Sequence, residues 1–205
     1  MRVFLNDLKI LSTITKKEEI TEHTFLVTDQ EAEKLQETID SDGFFWSIDK
    51  YTIGCSGACP SHIHKWNEEL KEWQICPELK AIKHKKDLDA LWEILKNKID
   101  EHSKTGVLVN GYWWHTDSVS RTKYDDLSRL VLLGEELAEE WSTMTGEVVI
   151  LDNELFKQLS RGIYAKTKQD YNNAKRLLAL AEKLDKPLEQ DITNGWSEAY
   201  KSTRD

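Results

Sequence analysis

The dipeptide Asn110-Gly111 sits between Val107-Leu108-Val109 and Tyr112-Trp113-Trp114-His115 and leaves that stretch few choices. Asn-Gly supplies the two positive φ angles of a type I′ turn, and both flanks are β-formers, so a tight antiparallel hairpin is expected. Side chains alternate across a strand, which sends Trp113 to the face opposite Tyr112 and Trp114. One face then serves a core, while Trp113 stays available outside. Thr116 reads as an N-cap opening a helix from Asp117 to about Trp141. Its expected buried stripe is Leu127, Leu130, Val131, Leu137 and Trp141.

The remaining segments carry local signals of their own. Val3-Phe4-Leu5, Thr24-Phe25-Leu26-Val27 and Phe44-Phe45-Trp46-Ser47-Ile48 read as short strands. Thr28 caps a helix over 29–39 whose first turn, Asp29-Gln30-Glu31, suits the helix dipole, and Asp42-Gly43 marks a turn. Leu88, Leu91, Trp92, Leu95 and Ile99 recur at spacings of three and four, predicting an amphipathic helix over 86–104. Its partner is either its own domain or the same helix in another chain. Ser142 to Leu151 predicts a second hairpin turning near Thr145-Gly146. Asp152 then caps a helix running to Leu184, about 50 Å long at the standard rise. Its stripe, Leu155, Leu159, Ile163, Tyr171, Ala174, Leu178 and Ala181, breaks at Thr167. The expected class is α+β. It comprises a small N-terminal α+β module at 1–78, an amphipathic linking helix at 79–105 and a C-terminal domain at 106–205. That last domain holds two hairpins and two helices, the second of them long.

Charge and composition exclude several functions. With 28 basic against 37 acidic residues the formal net charge is −9, which repels phosphate backbones and argues against nucleic acid. No apolar run reaches the roughly 20 residues that span a bilayer, so no membrane role is expected. The opening Met1-Arg2-Val3-Phe4-Leu5-Asn6-Asp7 has too short an apolar stretch for a secretion signal, which implies synthesis in a cytoplasm. The eight tryptophans stand out, because indole rings serve both cores and protein contacts.

Ligand-type residues gather in one place. Cys55, Cys59, His62 and His64 bring sulfur and imidazole within one short stretch, with Cys76 and His84 nearby. These are the donors zinc prefers, although the spacing is not that of a finger or ribbon. The alternative is that the free cysteines act as small buried hydrophobes and the histidines sit at a solvated turn. His115 and Asp117 lack a nucleophile in a recognisable elbow, and the Gly54–Gly57 stretch lacks the lysine of a phosphate loop. No catalytic residue is assigned, and the chain is expected not to be an enzyme.

Several ordered landmarks resemble a C-terminal domain of unknown function that recurs in bacteriophage tail-fibre and tail-fibre assembly proteins. They are Val109-Asn110-Gly111-Tyr112-Trp113-Trp114-His115-Thr116-Asp117, then Trp141-Ser142-Thr143-Met144-Thr145-Gly146, and finally Asp191-Ile192-Thr193-Asn194-Gly195-Trp196. Upstream, Pro60-Ser61-His62-Ile63-His64-Lys65-Trp66-Asn67 with Lys71-Glu72-Trp73 is similar to a segment of tail-fibre assembly chaperones. That family usually has more proline before this segment, where the present chain has Gly54-Cys55-Ser56-Gly57-Ala58-Cys59. The resemblance implies a protein that binds a phage tail-fibre polypeptide, helping it fold and trimerise or capping its tip. It also implies action in the host cytoplasm during assembly, or a place in the virion tail. Tyr112, Trp113, Trp114, Trp66 and Trp73 are the residues expected to meet the partner. One alternative is a permanent structural subunit of the fibre or baseplate, which could be a homo-oligomer. Three copies of His62 and His64 about a trimer axis would then offer six imidazoles, and zinc or iron is the metal such a cluster would hold. A second alternative is a small metal-binding protein built on the cysteine–histidine cluster.

Overall fold

The computed structural model describes residues 2–5, 10–13 and 24–201. The chain is α+β and divides into two units, Met1–Lys83 and His84–Asp205. No helix among the described residues is long and apolar enough to cross a membrane.

In the first unit, β1 (Arg2–Leu5) pairs antiparallel with both β2 (Ile10–Thr13) and β3 (Thr24–Val27), giving the order β2-β1-β3. Helix α1 (Asp29–Asp40) follows at once, because Thr28 and Glu31 form a reciprocal capping box. The Thr28 N–H donates to Glu31 at 2.8 Å, and these bonds hold the Glu31 carboxyl below its ordinary range. Asp42 takes a positive φ of 52° and ends the turn after α1. Phe4, Phe25 and Leu35 are sealed at the centre, with Phe45 stacked on Phe4 at 4.8 Å. Two hairpins complete the unit: β4 (Phe45–Ser47) with β5 (Ile53–Cys55), and β6 (His64–Asn67) with β7 (Glu72–Ile75).

Helix α2 spans Pro77–Ser103, and the division between the units falls within it. Proline at its first position costs nothing, since that N–H has no helical partner. The Leu88–Ile99 stripe meets its own domain: Leu91 and Leu95 are buried against Ala174, Leu177 and Ala181, with Trp92 alongside.

The hairpin at Asn110-Gly111 forms as its sequence demands. Strand β8 (Val107–Val109) pairs with β9 (Tyr112–Trp114), and Asn110 and Gly111 take φ of 51° and 83°. It packs on helix α4 (Asn153–Ala181) where Gly162 leaves room; a Cβ there would lie 2.6 Å from Val109 Cγ2. Asp152 caps α4, accepting from Leu155 N–H at 2.8 Å.

Expectations for the segment after β9 change, and Leu130, placed in its buried stripe, is 41 % exposed. The cap of helix α3 (Ser118–Leu132) is Asp117, not Thr116. Asp117 accepts from the amides of Val119 and Ser120, while Thr116 turns inward and accepts from Gly106 N–H at 2.9 Å. The helix also stops well before Trp141. Leu133 closes it and Gly134 follows with a φ of 88°, the left-handed exit that glycine takes without a Cβ clash. Leu137 and Trp141 still reach the core, but from the segment leading into and forming β10 (Ala138–Ser142), which pairs with β11 (Val148–Asp152).

Candidate functional site

Alternation in β9 sorts its three rings. Trp114 is 0 % exposed, with its indole N–H donating to Val109 O at 3.1 Å. Tyr112 lies on the same face, edge-on to Trp114 at 6.3 Å. Trp113 points the other way, half-buried, and meets the Tyr200 ring at 5.6 Å. There it lines a cavity of 760 Å³ with His102, Thr145 and residues 193–201.

That cavity is bounded by a strap, the irregular segment 191–201 laid back on α4 and the end of α2. The Asp191-Ile192-Thr193-Asn194-Gly195-Trp196 run builds it. Asp191 closes a turn by accepting from Thr193 N–H at 2.8 Å and from Asn194 at 2.9 Å. Ile192 and Trp196 plug the α2–α4 core. Gly195 has a φ of 87° against Asn173 and Arg176, where a side chain has no room.

Polar residues of α4 fasten the strap. Asp170 is 1 % exposed and receives both the Ser197 N–H and the Ser197 hydroxyl, each at 2.7 Å. Lys166 Nζ donates to Glu198 O at 2.7 Å and to Thr105 Oγ1 at 3.1 Å. Burial pushes the Lys166 amine below its ordinary range, and the Asp170 carboxylate opposes that. Asn173 donates to Asn194 O at 3.0 Å, and the Tyr200 N–H reaches Thr105 O at 2.9 Å. The α4 members of this set, Lys166, Asp170 and Asn173, do not stand out in the sequence one by one. The gap at Thr167 in the apolar stripe is their signal: the buried face continues through Lys166, Asp170 and Asn173, and Tyr171 turns outward at 43 % exposure.

His102 stacks on Trp196 at 5.0 Å, and its Nδ1 is buried with no hydrogen-bond partner among the described residues. Burial lowers its pKa, Lys166 and Lys98 push the same way, and Asp170 and Glu101 push back. A lowered pKa means that the unfolded chain binds the proton first as pH falls below about 6.5. Stability contributed by neutral His102 is therefore present above that pH and is lost on acidification. The urea midpoint of the full chain is expected to drop between about pH 7.5 and about pH 5.5. In His102→Phe, which keeps the ring stack, that drop should shrink; an unchanged pH dependence would show that other groups cause it.

The first unit presents a second aromatic surface. Trp66 and Trp73 face each other across the β6–β7 hairpin at 5.5 Å, and Phe44 and Trp46 join them at 5.3 and 5.4 Å from Trp66. Phe44 is 42 % exposed and the three indoles are half-buried. Trp73 donates to Ser56 O at 3.2 Å and Trp66 to Glu68 at 2.7 Å, so the rings are fixed by their polar ends.

The cysteine–histidine residues occupy separate positions. Cys55 pairs with Phe45 across β4–β5 and packs against the core around Phe4. Cys59 is exposed and its thiol points to Ser61 O, His62 is exposed, and His64 Nδ1 lies 2.9 Å from Ser61 Oγ. Cys76 is buried and donates to Glu78 at 2.8 Å. Among the described residues, no three histidine, cysteine or acidic side chains are gathered to hold a metal ion. Asp117, besides capping α3, accepts from the Ser120 hydroxyl at 3.0 Å and lies 3.8 Å from His115 Nδ1. Its carboxyl is held below the usual range first by the Ser120 backbone N–H.

The model of a family described as Domain of unknown function (DUF4376) matches residues 86–194. No curated protein and no solved structure matches the chain. Because the matched stretch runs over more than half of the sequence, from within α2 into the strap, the protein belongs to the DUF4376 family.

Proposed function

We propose that this protein is a binding module, not an enzyme, that associates with a phage tail-fibre polypeptide and assists its folding and trimerisation or caps its tip. The observation carrying this reading is the division of labour within β9. Trp114 is sealed in the core, while the adjacent Trp113 lies on the opposite face beside an open cavity. A rigid indole backed by a packed strand adds contact area at little entropic cost, the property of an interface anchor. Fixed aromatic rings at Trp66 and Trp73 supply the same chemistry in the first unit. Unassembled fibre strands expose sticky edges, and aromatic surfaces suit covering them. The place of action is the host cytoplasm while fibres assemble.

Co-expression with the fibre polypeptide tests this reading. Soluble fibre trimers should fall when the chain is omitted, and Trp113→Ala should weaken fibre capture in a pull-down by about tenfold or more. Equal trimer yield without the chain would remove the assembly role. Its detection in purified virions would instead favour a permanent structural subunit.

A further inference from the structure

We infer that the free edge of β10 is a docking strand for an extended, basic segment of a partner polypeptide, which enters the groove between β10 and α3 as a third strand. The inference rests on the reading of the protein as a polypeptide binder and names how one contact is made.

Among the described residues strand β10 pairs only with β11, so its other edge carries main-chain groups with no ladder partner among them. The phase of the ladder identifies them. Thr143 N–H donates to Glu147 O at 2.8 Å just beyond the strand ends. Bonded and non-bonded pairs alternate in an antiparallel ladder, so Trp141/Val149 and Glu139/Leu151 are bonded pairs. Glu140 and Ser142 consequently turn their N–H and C=O groups to the free edge.

That edge opens on a cavity of 610 Å³. Glu139, Glu140, Trp141 and Ser142 all line it, although successive side chains of a strand point to opposite faces. Four consecutive residues share one cavity only along the backbone edge. Helix α3 also lines it, through Ser120, Lys123, Asp126 and Leu127. A groove lined by a free strand edge and a neighbouring helix is the setting for strand addition.

Charge selects the occupant. Glu139 and Glu140 are exposed, and among the described residues neither carboxylate has a hydrogen-bond or ion-pair partner. They project to opposite faces, so consecutive basic side chains of an incoming strand meet one each. Three carboxylates, Glu139, Glu140 and Asp126, line the groove against one ammonium, that of Lys123, which lies 5.8 Å over the Trp141 ring. A second copy of this chain fits poorly, because pairing β10 with itself sets carboxylates beside carboxylates.

The test is titration of the full chain with the peptide acetyl-Thr-Val-Lys-Lys-Val-Thr-amide and its Glu-for-Lys counterpart, read by anisotropy and amide hydrogen exchange. The lysine peptide should bind at least about tenfold more tightly and lose affinity with salt. The Glu140 and Ser142 amides should gain protection, and Glu139→Lys/Glu140→Lys should reverse the preference. Equal binding of both peptides, or unchanged exchange at those amides, overturns the proposal. Protection of the same amides in a self-associated, peptide-free sample also overturns it, assigning the edge to a second copy. Fibre capture that persists while the peptide fails removes the docking strand alone. Loss of fibre capture by the unaltered chain removes the functional reading itself.

Discussion

Trp114→Ala is expected to lower the unfolding free energy by about 4 kcal/mol, as for a large aromatic side chain removed from a packed core. The ring is 0 % exposed and belongs to the cluster of Val107, Tyr124, Leu127, Leu151, Phe156 and Leu159. Elements on every side of that cluster are anchored separately: β8 by its turn, α3 by the Asp117 cap, α4 by the Asp152 cap. Little collapse into the vacated space is available, which places the cost in the upper range. Set against the roughly 5–15 kcal/mol typical of whole domains, the variant should remain folded but marginal. Trp113→Ala is the internal control. One residue away on the half-exposed face, it should cost about 1 kcal/mol. Equal losses for the two, measured by urea denaturation, would show that the strand does not separate a core face from an outer one.

Asp170→Ala should be nearly as damaging, at about 3–5 kcal/mol, because it strips a buried carboxylate from a network that was built around it. Both Ser197 bonds vanish, and Lys166 keeps its hydrogen bonds to Glu198 O and Thr105 but loses the carboxylate that offsets its burial. Ser197→Ala removes only one neutral partner and should cost about 1–2 kcal/mol. Amide exchange at Ser197 and Tyr200 gives the local readout, with loss of protection preceding global unfolding in Asp170→Ala. If the two variants prove equally mild, the buried charge does not hold the strap.

Much of this fold is legible in local chemistry. The Asn110-Gly111 turn, the Thr28 capping box and the Asp152 cap each depend on residues within a few positions of one another, and each element begins where its sequence says. Helix α3 reads too long because Leu137 and Trp141 continue its stripe at helical spacing. Their burial is real but is achieved by the lead-in to a strand and the strand itself. Gly134 is the legible stop signal, outweighed by that period. The strap is harder to foresee. Asp170 and Ser197 are 27 positions apart, and a polar residue inside a helix announces its burial only once its distant partner is in place. The cysteine–histidine stretch shows the converse. Cys55 and His64 are close in sequence, yet each faces the partner of its own hairpin, Phe45 and Ile75.

The strap also governs where this protein tolerates shortening. Helix α4 ends at Ala181, an inviting place to trim the tail of the molecule. A fragment ended there would carry Asp170, Lys166 and Asn173 on a helix face made polar for partners it no longer has. It would also strip Ile192 and Trp196 from the α2–α4 core and bare the face of His102 that Trp196 covers, surfaces that invite aggregation. Any dissection meant to report on the intact protein has to run through Tyr200, and insolubility of a shorter piece would speak of the missing lid, not of a missing companion.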